Sequence, residues 1–213
     1  MMRLPATVGS PRGVTVEGAS PALLAELLKE FEVELRNQGI EIDRLLRPGA
    51  TRQSVIDEFR ASELDAPDEA IVLFGWHNGR FEVPGAFSAL PVFAAWSLEY
   101  LAAARDRSAD EPRGFGEWEW NPNWIRIMGD QYGIAMCCAD RPENAPLIRF
   151  VSDDLVDGTQ DWQTERQVVS LCTPVTWWIE SLRRGWYRWI PATQEWKRDV
   201  DDQPIIRSIY GLT

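Results

Sequence analysis

The sequence predicts an α+β domain: a mostly antiparallel sheet flanked by N-terminal and C-terminal helices. Three observations predict it. Apolar residues recur at helical spacing early in the chain and again late. Between those stretches lie short apolar runs separated by turn-rich segments, the pattern of antiparallel strands. The chain has 213 residues and is 45% hydrophobic, enough for one generous domain with its own core.

The elements follow in order. Residues 1–20 are rich in Pro, Gly, Ser and Thr and read as a flexible N-terminal segment, with a short strand around residues 14–16. Residues 21–213 read as a single domain. Ser20-Pro21 is a helix start, a capping hydroxyl before a proline at the first helical position. Leu23, Leu24, Leu27, Leu28, Phe31 and Leu35 then keep helical spacing, and the helix is expected to run to about Asn37 and stop at Gly39. Thr51 is placed to cap a short helix carrying Val55, Ile56 and Phe59. Pro67 opens another, with Ile71, Val72, Phe74 and Trp76 on or near its buried side, ending at Asn78-Gly79.

After Gly79 the texture changes to strand and loop. Residues 97–107 read as a helix and residues 106–117 as a polar surface loop. Three strands are expected at residues 124–128, 133–139 and 147–152, the first two joined across "GDQYG". Thr173-Pro174 repeats the cap-plus-proline signature and opens a helix carrying Val175, Trp178, Ile179 and Leu182, stopping at Gly185. "WYRWIPATQEWKR" is an aromatic segment with a Pro-containing turn. The run 205–209 offers an edge strand or packs back on the body.

No stretch of about 18 apolar residues occurs, so no membrane span is expected. The first residues lack the continuous apolar core of a secretory signal, and a cytoplasmic location is the expectation. The cysteines agree. Cys137, Cys138 and Cys172 are odd in number, lack a C-x-x-C spacing, and read as reduced, buried thiols.

Catalytic signatures are sparse. His77 is the single histidine, so no paired-histidine metal site forms, and it reads as a satisfied, partly exposed residue at a helix end. No phosphate-cradling glycine pattern occurs. Neither metal nor cofactor is expected. Glu117, Glu119 and Asp130 lie near Trp118, Trp120 and Trp124 in sequence, the residue types a glycosidase combines. Trp124 precedes a strand core of Ile125, Ile127 and Met128 and is expected to anchor the sheet; Trp118 and Trp120 are open to partner contact.

Charge is the strongest functional signal. The net charge is −11, from 33 acids and 22 bases. Residues 1–60 hold 9 acids and 8 bases; the remainder therefore holds 24 and 14, a balance of −10. Such a surface repels nucleic acid and anionic lipid and attracts a basic protein. The densest run gathers Asp153, Asp154, Asp157, Asp161 and Glu165 around Trp162, a candidate partner-binding face.

The order of features resembles a known family. A helical part closes on "LDAPDEAIVLFGWHNG"; a hairpin segment follows, "NWIRIMGDQYGIAMCCAD"; then an apolar strand, "APLIRFVSDD"; then a late helix, "TPVTWWIESLRRGWYRW". Over roughly residues 22–190 this resembles the SMI1/KNR4-like proteins of the SUKH superfamily. Asn78-Gly79 matches the helix-ending pair, Trp124, Ile125 and Ile127 the start of the strand, Gly129, Asp130 and Gly133 the hairpin, and Asp140 the acid that ends it. The sequence departs from the pattern in a longer stretch before Asn78, in Cys137-Cys138 where leucines are usual, and in Trp177-Trp178 where phenylalanine and leucine are commoner.

The resemblance implies an α+β domain that works by binding. Many bacterial members of that family are similar to immunity proteins that block a cognate toxin, often of nuclease or deaminase type. An acidic blocker of a basic cleft is the leading expectation. A housekeeping scaffold or regulator without a toxin is the alternative. A carbohydrate-binding or glycosidase-like protein using Trp118 and Trp120 is the third.

Overall fold

The computed structural model describes residues 1–10, 13–81, 97–98, 124–129, 132–137, 147–151, 168–193 and 195–198. They form helices and small antiparallel sheets, an α+β arrangement.

Helix α1 (Pro21–Asn37) begins and ends as expected. Ser20 is extended, and its Oγ accepts the Leu23 N–H at 3.2 Å, satisfying a donor the first turn leaves free. Leu24, Leu27, Leu28, Phe31 and Leu35 form its buried stripe. Gly39, at φ +86°, turns the chain out of the helix. A short helix, α2 (Ile42–Leu45), and a short strand, β3 (Leu46–Pro48), follow; the sequence pattern predicted neither, although both bury apolar side chains, Ile42 and Leu46.

Helix α3 (Arg52–Ala61) is capped by Thr51, whose Oγ1 accepts the Ser54 N–H at 3.1 Å. Helix α4 (Asp68–Trp76) starts after Pro67. It ends earlier than expected. His77 is already extended, and strand β4 (His77–Arg80) pairs antiparallel with β3, Leu46 opposite Arg80 and Pro48 opposite His77. Asn78 and Gly79 are therefore strand residues rather than a helix stop. Pairing with β3 decides this, and α4 spacing alone could not reveal β3. The Asn78 Oδ1 accepts the Leu98 N–H at 2.8 Å.

The N-terminal segment contains the expected strand and an unexpected partner. Strands β1 (Thr7–Ser10) and β2 (Gly13–Val16) pair antiparallel, Thr7 opposite Val16. Val16 is buried in the core, and the Val169 N–H reaches the Val14 carbonyl at 2.9 Å.

The three central strands stand close to their expected positions. Strands β5 (Trp124–Gly129), β6 (Tyr132–Cys137) and β7 (Leu147–Val151) form one antiparallel sheet with β6 between the others. Trp124 pairs with Cys137, Gly129 with Gly133, and Met136 with Leu147, with a register irregularity between Arg126 and Met128.

Helix α5 (Cys172–Arg183) buries Val175, Trp178, Ile179 and Leu182. It starts before Thr173-Pro174, so Thr173 is inside the helix and caps nothing. Gly185, at φ +70°, ends it as expected, with the Trp186 N–H on the Ser181 carbonyl at 3.0 Å. The aromatic segment is a hairpin: β8 (Tyr187–Ile190) pairs with β9 (Glu195–Arg198), and Trp189 meets Trp196 edge-on at 5.4 Å.

The contacts order α1, α4 and α5 in one sense. Ser20, Glu69 and Cys172, at or near their starts, lie together. Phe31, toward the end of α1, packs on Trp76 at 6.1 Å and on Trp178 at 5.8 Å. Among the described residues, no helix is long and apolar enough to cross a membrane.

Candidate functional site

The residues proposed for partner contact, Trp118, Trp120, Asp153, Asp154, Asp157, Asp161, Trp162 and Glu165, lie outside the described residues, as do Glu117, Glu119, Asp130 and Asp140. Of the residues that carry the resemblance, Trp124 and Gly129 fall on β5 and Gly133 on β6, with the two glycines opposite each other. Asn78 and Gly79 fall on a different, two-stranded sheet.

The described residues bring together polar clusters around Glu69, Arg183 and His77. The first sits where α1, α4 and α5 begin. Glu69, in the first turn of α4, is fully buried. Its Oε1 accepts the Ser170 hydroxyl at 2.5 Å, and its Oε2 accepts the Leu171 N–H at 2.7 Å. Ser170 Oγ in turn accepts the Cys172 N–H at 3.1 Å, so one carboxyl and one hydroxyl satisfy the start of α5 where no Thr173 cap exists. The Cys172 thiol donates to the Ser20 carbonyl at 3.4 Å and lies 4.0 Å from Glu69 Oε1.

Electrostatics at this junction is dominated by burial. It pushes the Glu69 carboxyl up from 4.5 to about 7, against the hydrogen bonds from Ser170 and Leu171, which pull the other way. Burial also pushes the Cys172 thiol up, which keeps it an S–H donor. Cys172 is a free, buried cysteine, as the sequence implied.

The second cluster closes the opposite end of α5. Arg183 Nε donates to Glu34 Oε1 at 2.6 Å, its Nη1 donates to the Met2 carbonyl at 2.9 Å, and its Nη2 bonds Glu30. The Met2 N–H donates to Glu30 Oε1 at 2.9 Å. One guanidinium thus ties the N-terminal segment, α1 and α5 together.

The third cluster surrounds the single histidine. His77 Nδ1 lies 2.8 Å from the Arg47 carbonyl, its ring meets Trp76 edge-on at 4.6 Å, and Glu32 Oε2 lies 3.8 Å from Nε2. Glu32 also accepts the Trp76 indole N–H at 3.1 Å and Arg36 at 2.8 Å. Partial burial opposes ionisation of Glu32, but the hydrogen bonds from Arg36 and Trp76 outweigh it and hold the carboxyl below its ordinary value. His77 is more enclosed than the sequence suggested, with its side chain 14% exposed.

These clusters left traces in the sequence. Glu69 opens the apolar run "EAIVLFGW", and Glu34 follows Phe31 at helical spacing on the buried stripe of α1. An acid inside an apolar pattern signals a buried partner, though not which one. Arg183 left no such trace, because an arginine in a last helical turn is ordinary. Among the described residues, no group of His, Cys, Asp and Glu could hold a metal ion. No family model matches the chain, and the search of curated proteins finds no match.

Proposed function

We propose that the chain is a non-catalytic protein-binding domain of the immunity type, which neutralises a basic toxin domain of nuclease or deaminase class by covering its substrate cleft. The observation that carries this reading is the charge distribution: a balance of −10 over residues 61–213, with its densest acids around Trp162. A basic cleft and an acidic blocker attract at long range, and an aromatic anchor adds contact area at the centre. The acids at Glu69, at Glu30 and Glu34, and at Glu32 are engaged within the fold, so the reading assigns partner contact to other acids. The α+β arrangement, with a three-stranded antiparallel sheet, is compatible with the SMI1/KNR4-like resemblance, which we retain as part of the proposal.

Calorimetric titration against the C-terminal domain of the polypeptide encoded beside this gene tests the reading. Tight binding that weakens with salt is expected. Charge reversal at Asp153, Asp154 and Asp157 should slow association and flatten the salt dependence. Unchanged affinity and salt dependence in that variant would remove the acidic turn as the binding face. No binding at either salt would favour the scaffold reading.

A further inference from the structure

The cluster around His77 carries an inference independent of any partner. His77 Nδ1 lies 2.8 Å from the Arg47 carbonyl, and a carbonyl can only accept, so Nδ1 carries a hydrogen. In the neutral ring Nε2 is then a bare lone pair. Among the described residues that nitrogen has no hydrogen-bond partner, and it is closed to solvent. The sequence reading of a satisfied histidine fails at this one atom. Glu32 Oε2 stands 3.8 Å from it, so two acceptors lie side by side with no hydrogen between them. A closure of about 1 Å would bring a protonated Nε2 within hydrogen-bond range of the carboxylate.

We propose that His77 is a proton-operated clasp, in which uptake of one proton at Nε2 joins the ring to Glu32 and draws the start of β4 onto α1.

The groups around the ring come from four elements. From α1, Glu32 already accepts Arg36 at 2.8 Å and the Trp76 indole at 3.1 Å, both donors that favour its ionised form. From α2, Asp43 accepts the same Arg36 at 3.2 Å, so that cation is shared by two acids. From β3, Arg47 supplies the carbonyl and adds a second cation. From α4, the ring meets uncharged Trp76, while Asp68 and Glu69 belong to the first turn of that helix. On β4 itself the other charged residue is Arg80. Enclosure and the arginines oppose a charge on the ring. A charged His77 favours ionised Glu32 and Asp43, and by reciprocity those two carboxylates favour the charged ring. The contact therefore contributes stability where the ring is charged, and that contribution is lost as pH rises and the ring discharges.

The test uses the full chain, whose one histidine gives an unambiguous signal. At about pH 8, 15N NMR of the imidazole should show hydrogen on Nδ1 and a bare Nε2. On titration to about pH 5.5, Nε2 should gain the proton, and in Glu32→Gln the midpoint should move to lower pH by more than about half a unit. The opposite tautomer at pH ~8, or a midpoint that Glu32→Gln leaves in place, would overturn the proposal. Thermal unfolding gives a second readout. The difference in Tm, wild type minus Glu32→Gln, should grow by about 2–4 °C as pH falls across that range, and a flat difference would sink the clasp. Should Glu32→Gln fail to fold, carboxyl 13C NMR of the wild type decides. The Glu32 carboxyl carbon should shift with the same midpoint as the His77 ring; a Glu32 resonance that stays silent through the histidine titration would remove the contact.

Discussion

The two ends of the α1–α4–α5 core solve one problem in different ways. Where the helices begin, a single buried carboxyl, Glu69, meets the hydroxyl and amide of Ser170 and Leu171. Toward the other end, Arg183 is shared by Glu30 and Glu34, while Glu32 holds Trp76 and Arg36. The placement follows helix polarity: helices running in one sense gather partial positive charge at one end and negative at the other, favouring an acid at the first and a cation at the second. The lesson lies in the pH response. Burial dominates at Glu69 and raises its titration, whereas hydrogen bonds from Arg36 and Trp76 win at Glu32 and lower it.

The largest effect expected from breaking this contrast is at Arg183. Arg183→Ala leaves Glu30 and Glu34 enclosed without their cation and should cost about 3–5 kcal/mol in urea unfolding. Adding Glu30→Gln and Glu34→Gln should restore part of that loss; no restoration would show that packing of the arginine stem, not charge, holds the end together.

Next comes Gly49, beside the end of α4. A Cβ there would stand 1.9 Å from the Gly75 carbonyl oxygen, a backbone atom that cannot swing aside. Gly49→Ala should therefore destabilise by about 1–3 kcal/mol. An unchanged Tm would mean that the β3–α3 connection shifts freely.

At the helix starts, Ser170→Ala removes the hydroxyl shared by Glu69 and the Cys172 N–H and should cost about 1–3 kcal/mol. Its penalty should grow with pH, since the ionised carboxyl needs the donor more. A penalty independent of pH would indicate that the hydroxyl serves α5 alone.

The acid limb sharpens the comparison from the other side. The folded titration of Glu32 is depressed, so the stability it contributes is present above its ordinary value and lost as pH falls through the folded one. Glu32→Gln should flatten the acid side of the stability profile. The smallest effect is expected at the exposed pair Lys29–Glu26, whose double-mutant coupling should stay within about 1 kcal/mol.

Local signals were largely legible. Ser20-Pro21, Thr51 and the apolar stripe of α1 are short-range features, and the helices they predict are present. The three central strands were legible because apolar runs broken by turns leave few other arrangements. The start of α5 was misread because Thr173-Pro174 mimics a cap, while the donors are satisfied by Glu69 and Ser170, the first more than 100 residues upstream. The end of α4 was misread because β4 exists only through pairing with β3.

By itself, then, the sequence determined the elements whose cause lies within a few residues: caps, periodic stripes, glycine stops and the uneven charge. Tertiary structure alone decided which ionisable groups are enclosed and what they meet. Glu30, Glu34 and Glu69 are the same residue type, but the groups that hold them, Arg183 for the first two and Ser170 and Leu171 for the third, lie more than 100 residues away in sequence. A local pattern carries no record of those segments until the chain has folded.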